Sequence, residues 1–128
     1  MFQAVSDDVN CLAAATIGAA LAVHRQLGPG FLESIYSQAL RIELEARGLP
    51  FESEKAIDVL YRGMPIRGQR IDLIVGELVV VEVKAVAAIE PVHVAQLISH
   101  LKTTGLRVGL LVNFHERLLK DGIRRIVL

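Results

Sequence analysis

Apolar residues dominate the first part of this chain and then change their period. Residues 6–26 are helical in composition, with an alanine-rich apolar run over 12–23, and Ser6-Asp7-Asp8 supplies an N-cap followed by first-turn acids. The pattern predicts a helix that Gly28-Pro29-Gly30 brings to an end. A second helix is predicted over 31–47 from Phe31, Ile35, Leu40 and Leu44 at roughly helical spacing, with Gly48 suited to the C′ position. Beyond Pro50 the period drops to two. Ile57, Val59 and Tyr61 alternate with Ala56, Asp58 and Leu60, which predicts a strand. A turn follows at 62–65, then strands over 66–75 and 78–86. Pro91 opens a helix over 90–104 that Gly105 terminates. A short buried strand is expected at 107–113, a turn or short helix at 118–122, and a last strand at Ile123–Val127. The order α-α-β-β-β-α-β, with that further strand, describes a mixed α/β (α+β) sheet. Three strands form a meander, a helix crosses over to the next, and helices cover the sheet. No repeat, linker or low-complexity segment interrupts it, and 128 residues suit one domain spanning 1–128.

Charge and cysteine usage narrow the setting. The 14 basic and 14 acidic side chains cancel. That argues against strong non-specific nucleic-acid binding, leaves room for a local basic patch, and favours self-association. Cys11 is the only cysteine, so neither an internal disulfide nor a cysteine-based zinc site can form, and a reducing cytoplasm fits. The first ten residues carry acids where a secretory leader would carry positive charge. The apolar run 12–23 is too short for the roughly 20 residues of a spanning helix, so no membrane association is expected. That run is apolar around nearly its whole circumference. A homo-oligomer built through this N-terminal helix is therefore expected.

The chemistry concentrates in the hairpin RIDLIVGELVVVEVK, residues 70–84. Charges inside a sheet are costly unless paired or put to use. Side chains alternate along a strand, so Glu82 and Lys84 share one face while Val81 and Val83 share the other. Asp72 lies on the neighbouring strand. Two carboxylates and a main-chain carbonyl such as that of Val83 form a hard oxygen site suited to Mg²⁺ or Mn²⁺. A lysine beside it can orient water and offset charge on a phosphoryl oxygen. An exposed edge pair would explain Glu82 and Lys84 equally by spacing, but VVVEVKAV is apolar on both faces and reads as a central strand. The turn is decisive. A two-residue connection at Gly76-Glu77 would set Val75 opposite Leu78 and Asp72 opposite Val81, on the wrong face. A loop with an odd number of residues, or a bulge, is therefore expected.

Asp72 followed by Glu82-Val83-Lys84 resembles the D…E-x-K signature of the PD-(D/E)XK nuclease superfamily, whose αβββαβ core matches the order above with an additional N-terminal helix. Gly30-Phe31-Leu32-Glu33-Ser34-Ile35-Tyr36 is similar to the motif that names the GxxExxY protein family, as are VHRQLGPGFLESIY, VEVKAV, PVHVAQLISHL and GLLVNF. The resemblance implies a metal-dependent phosphodiester hydrolase acting on nucleic acid, DNA or RNA. Asp72 and Glu82 would be ligands of Mg²⁺ or Mn²⁺, and Lys84 the catalytic lysine. Glu33 would be an acid supplied by the first core helix, and Gln96 a polar residue near the site. Ile71 stands where the superfamily name has proline, and His100 where a tyrosine is expected after Gln96.

Plainer readings stand beside these. Glu33 also suits a helix N-terminus through the dipole. Gln96 and His100, four apart, also suit a polar helix surface. His24 reads as a core histidine bonded to backbone, and the spacing of His93 and His115 favours no metal. Arg67, Arg70, Lys102, Arg107, Lys120, Arg124 and Arg125 are candidate phosphate contacts or scattered surface charge. Retention of Asp72, Glu82 and Lys84 together favours an enzyme. The alternative is a non-catalytic nucleic-acid-binding or assembly module that keeps the fold. The lack of a separate DNA-binding segment suits that module, or an enzyme whose specificity comes from a protein partner.

Overall fold

In the computed structural model, which describes residues 4–128, the chain forms α1 (Asp7–Leu27), α2 (Glu33–Ala46), β1 (Phe51–Tyr61), β2 (Met64–Val75), β3 (Val79–Lys84), α3 (Pro91–Thr104), β4 (Val108–Asn113), a 3₁₀ turn (Leu119–Gly122) and β5 (Ile123–Val127). Residues 1–3, the start of the segment expected to lack a leader, lie outside the described residues. The expected order therefore stands, and the final strand forms. The sheet order is β1-β2-β3-β4-β5. β1, β2 and β3 pair antiparallel, β3 and β4 pair parallel across α3, and β5 returns antiparallel to β4.

β3 is central, as its apolar character on both faces requires. Val79, Val81 and Val83 join Tyr36, Leu40, Leu110 and Val112 in a core beneath α1 and α2. Val80 faces the other way, into a smaller core with Leu97, Leu101, Leu111 and Ile71 beneath α3. α1 and α3 are bounded by the residues that predict their ends. Ser6 accepts from the Val9 amide at 3.4 Å. A capping box joins Glu90 and His93, and Gly105 closes α3 in the left-handed region at φ 76°.

Several boundaries differ from expectation: α2 starts two residues later, at Glu33, β3 ends two residues earlier, at Lys84, and the starts of β1 and β2 move. β1 starts at Phe51, ahead of the clear alternation, because Glu54 takes φ 52° in mid-strand and disturbs the two-residue period. β2 starts at Met64, so the turn is only Arg62-Gly63. Both residues have positive φ (52° and 78°) and Tyr61 pairs with Met64, the geometry that matches the twist of a tight hairpin.

The apolar patch expected on α1 is not there. Leu12, Ile17 and Leu21 are half-buried and pack on the core, while its exposed positions include Cys11, Ala14, Arg25 and Gln26. Alanines let α2 and the sheet approach so closely that the helix has little apolar surface left over. The exposed large apolar side chains lie elsewhere, including Phe31 and Leu32 before α2, and Leu60, Tyr61, Met64 and Ile66 at the end of the β1–β2 hairpin. No helix among the described residues is long and apolar enough to cross a membrane.

α3 lies close on β4 because Gly109 has no side chain. A Cβ there would sit 2.6 Å from Leu97 Cδ1 and 2.9 Å from its Cγ, and Leu97 is fully buried with nowhere to swing. Gly109→Ala is expected to destabilise the fold by about 1–3 kcal/mol through overpacking. Chemical denaturation measures this, and an unchanged midpoint would show that α3 yields freely.

Candidate active site

The β2–β3 connection decides whether a site exists. Val75 pairs with Val79, Ile74 with Val80 and Leu73 with Val81, leaving Gly76, Glu77 and Leu78 as a three-residue loop. Gly76 and Glu77 both have positive φ (57° and 62°), and the Leu78 amide donates to the Val75 carbonyl at 3.1 Å. The odd count gives the parity expected from the sequence. One step further along the same register, Asp72 comes level with Glu82.

Main-chain pairing of β2 with β3 stops at Leu73, and a side chain takes over. Asp72 Oδ2 accepts the Val83 amide at 2.9 Å. Amide and carbonyl of one residue leave an extended strand toward the same side. The Val83 carbonyl therefore faces the gap that opens as β2 diverges. On the other edge of β3, the Lys84 carbonyl accepts the Phe114 amide at 2.9 Å.

Glu82 is buried, 5% exposed, and its Oε1 is hydrogen-bonded to Nδ1 of His100, which is also buried. Asp72 is half-buried. Burial, and then the charge of Glu82, push its carboxyl up to about 7 from the usual carboxylate range, and Glu33 adds to this. The Val83 amide and Lys84 act in the opposite direction. The charge of Glu82 thus disfavours ionisation of Asp72.

That donor chemistry fits a hard divalent cation. The bonds described engage Oδ2 of Asp72 and Oε1 of Glu82, so each carboxylate has a second oxygen to offer beside the Val83 carbonyl. Among the described residues no group of three or more His, Cys, Asp or Glu side chains is placed to hold a metal. Water would fill the remaining positions, as Mg²⁺ usually requires.

The other candidates fall around this pair unevenly. Lys84, half-buried, follows Glu82 on the same face of β3. Glu33 is exposed at the first position of α2, within electrostatic range of Asp72. Gln96 is exposed on α3, one turn before His100. Because α3 runs antiparallel to β3, Gln96 lies toward the Lys84 end of the strand.

His24 is the core histidine expected: it is buried and its Nε2 donates to the Glu116 carbonyl at 2.7 Å. His93 serves the capping box. Two of the candidate phosphate contacts have local roles, since Arg107 Nε donates to the Leu128 carbonyl and Arg125 to Asn10.

Three residues around the candidate site have contacts that the sequence did not reveal. His100 appeared as a departure from tyrosine and, with Gln96, as part of a polar helix surface, whereas it is buried and bonded to Glu82. Tyr36 is fully buried and stacks on Phe114 with ring centroids 4.6 Å apart. Its hydroxyl donates to the Gly28 carbonyl and accepts the Phe31 amide at 3.1 Å. It thereby fixes the loop that delivers Glu33. Asn113, fully buried, bonds both the amide and the carbonyl of Val86 at 3.0 and 2.9 Å, and so holds the chain where it leaves Lys84. An asparagine ending an apolar strand was the available signal.

No curated protein and no solved structure gives a significant match to this chain. A family model does, over residues 10–126, a span that contains Glu33, Asp72, Glu82 and Lys84. The chain belongs to the PD-(D/E)XK nuclease superfamily.

Proposed function

We propose that this protein hydrolyses phosphodiester bonds in nucleic acid, using Mg²⁺ or Mn²⁺ held by Asp72, Glu82 and the Val83 carbonyl. The observation that carries this reading is that Asp72, one step beyond the last β2–β3 pair, comes level with Glu82 and within its electrostatic range, beside Lys84. The motif from Gly30 through Glu33 to Tyr36 supports placement in the GxxExxY family within the superfamily.

When bound, the cation supplies Lewis-acid polarisation of the phosphate and offsets the two carboxylates. Lys84 would orient the attacking water and donate a hydrogen bond to the phosphoryl oxygen on which charge develops. Glu33 would hold water near Asp72. Gln96, exposed on the turn beside His100, would bond substrate. His100 would keep Glu82 in one rotamer, because a buried carboxylate without a partner is costly. A cytoplasmic setting and a protein partner that supplies specificity are compatible with this reading.

Asp72→Ala and Glu82→Ala are each expected to lower Mn²⁺ affinity by more than about tenfold in calorimetry. If both leave it unchanged, the ligand assignment is wrong. Lys84→Ala should bind Mn²⁺ normally and lose about 10²-fold or more in cleavage of a mixed nucleic-acid substrate. Normal cleavage by that variant would remove the lysine from the mechanism.

The raised Asp72 carboxyl sets the pH dependence. Its folded value, about 7, lies above the 3.8 of an unperturbed aspartate. Between these values the unfolded chain releases a proton that the metal-free native state keeps, so this group makes stability fall as pH rises through that window. Asp72→Asn should flatten that part of the stability profile. Cation binding requires the ionised carboxylate, so Mn²⁺ affinity should rise by up to about tenfold per pH unit below 7 and level off above it. Calorimetry in buffers of different ionisation enthalpy would detect the released proton. No proton release at pH 6 would contradict the assignment.

A further inference from the structure

The β1–β2 hairpin outruns the sheet. β3 ends at Lys84, which by register is level with Arg70. From there to the tip, residues 56–61 pair only with 64–70. The result is a two-stranded arm with no third strand on either edge: its base rests on the core beneath α3 through Ile57, the register shifts between Ile57 and Val59, and its far end leaves the end of the sheet carrying Lys84. A ribbon of this kind is marginal by itself, yet here its far half is well paired and turns tightly at Arg62-Gly63.

Its composition is unlike the rest of the chain. Residues 56–70 contain Arg62, Arg67 and Arg70 against one acid, Asp58, in a protein with no net charge. The remainder therefore has an excess of acid. Arg67 lies 4.0 Å from Asp58 with both side chains exposed, a pairing of little strength that leaves the arginine free to turn. Arg62 and Arg70 have no ion-pair partner among the described residues.

One face of the arm is apolar. Val59 pairs with Ile66 and Tyr61 with Met64. Opposed and alternate residues share a face, so these four side chains are contiguous. Tyr61 and Met64 are about two-thirds exposed.

We propose that this arm docks on duplex DNA, lying as a ribbon in the major groove beside the site. Its arginines would reach flanking phosphates, and the Val59–Tyr61–Met64–Ile66 face would lie against base edges and thymine methyls. Six residues of extended strand reach about 20 Å, and the major groove of B-form DNA admits a two-stranded ribbon. The major groove of duplex RNA is too deep and narrow for side chains to read. The inference deepens the phosphodiesterase reading and takes its motive from it, since DNA gripped by the arm would continue past Lys84.

Fluorescence anisotropy in EDTA, with labelled duplex DNA, single-stranded DNA and duplex RNA of one sequence, tests it apart from catalysis. The whole protein should prefer duplex DNA. Replacing Arg62, Arg67 and Arg70 together by alanine should weaken duplex binding by about 30-fold or more. It should also lower the slope of log affinity against log salt by about two to three. Unchanged Mn²⁺ affinity in that variant would show that the fold and the site are intact.

Wild-type binding and slope in the triple variant would overturn the proposal, as would equal affinity for all three nucleic acids. A Tyr61→Ser, Met64→Ser variant that sediments as a monomer where the wild type is a dimer would assign the face to a second copy instead. Asp72→Ala separates the two readings. Retained arm-dependent DNA binding alongside failure of the metal and cleavage tests would leave the arm standing and remove the enzyme.

Discussion

Two carboxylates meet where a β-ladder stops, and the rest of the structure is arranged around that meeting. Asp72 uses its side chain to continue the bonding of β2 to β3 after main-chain pairing has ended. Glu82 points into the protein and finds His100. Burying a carboxyl group is costly unless it is paired or hydrogen-bonded, and at Asp72 desolvation outweighs the amide that it accepts. The strain shows in the proton that Asp72 keeps up to about pH 7. A positive charge beside Asp72 favours its ionised form, as Lys84 already does in part.

Distant features serve the same point. The three-residue loop at Gly76 sets the face on which Asp72 emerges. Gly109 lets α3 settle close enough for His100 to reach Glu82. Tyr36 spends its hydroxyl on the backbone ahead of α2, and that loop delivers Glu33. Asn113 ties down the chain just beyond Lys84. Each of these residues acts on the surroundings of Asp72 and Glu82 through backbone placement.

Much of this was legible because the relevant signals are local. Helix ends followed from Ser6, Gly28, Pro91 and Gly105, and the central position of β3 followed from its double apolar face. Even the loop parity could be argued from the requirement that Asp72 and Glu82 share a face. What stayed hidden depends on tertiary approach. The start of β1 was masked by Glu54, whose left-handed backbone no residue pattern announces. The outer side of α1 looked like an interface because alanine reads as apolar, whereas in the fold small side chains mean close packing. His100 could not be assigned a partner from spacing, since its bond to Glu82 joins elements eighteen residues apart.

The parallel pairing of β3 with β4 has a consequence for how the molecule forms. The β1–β2–β3 meander is built from neighbouring segments, whereas β4 reaches β3 only after α3 has crossed the sheet. Contacts between sequence-distant segments form slowly, because loop closure must precede any gain from them. Asp72 and Glu82 can therefore come together early, in a hairpin, while His100 and Asn113 arrive with the crossover. During synthesis the carboxylates leave the ribosome before the histidine that steadies one of them. The nascent chain passes through a stage in which its most strained charges are still in water, and their burial is deferred until the last third of the protein can fold over them.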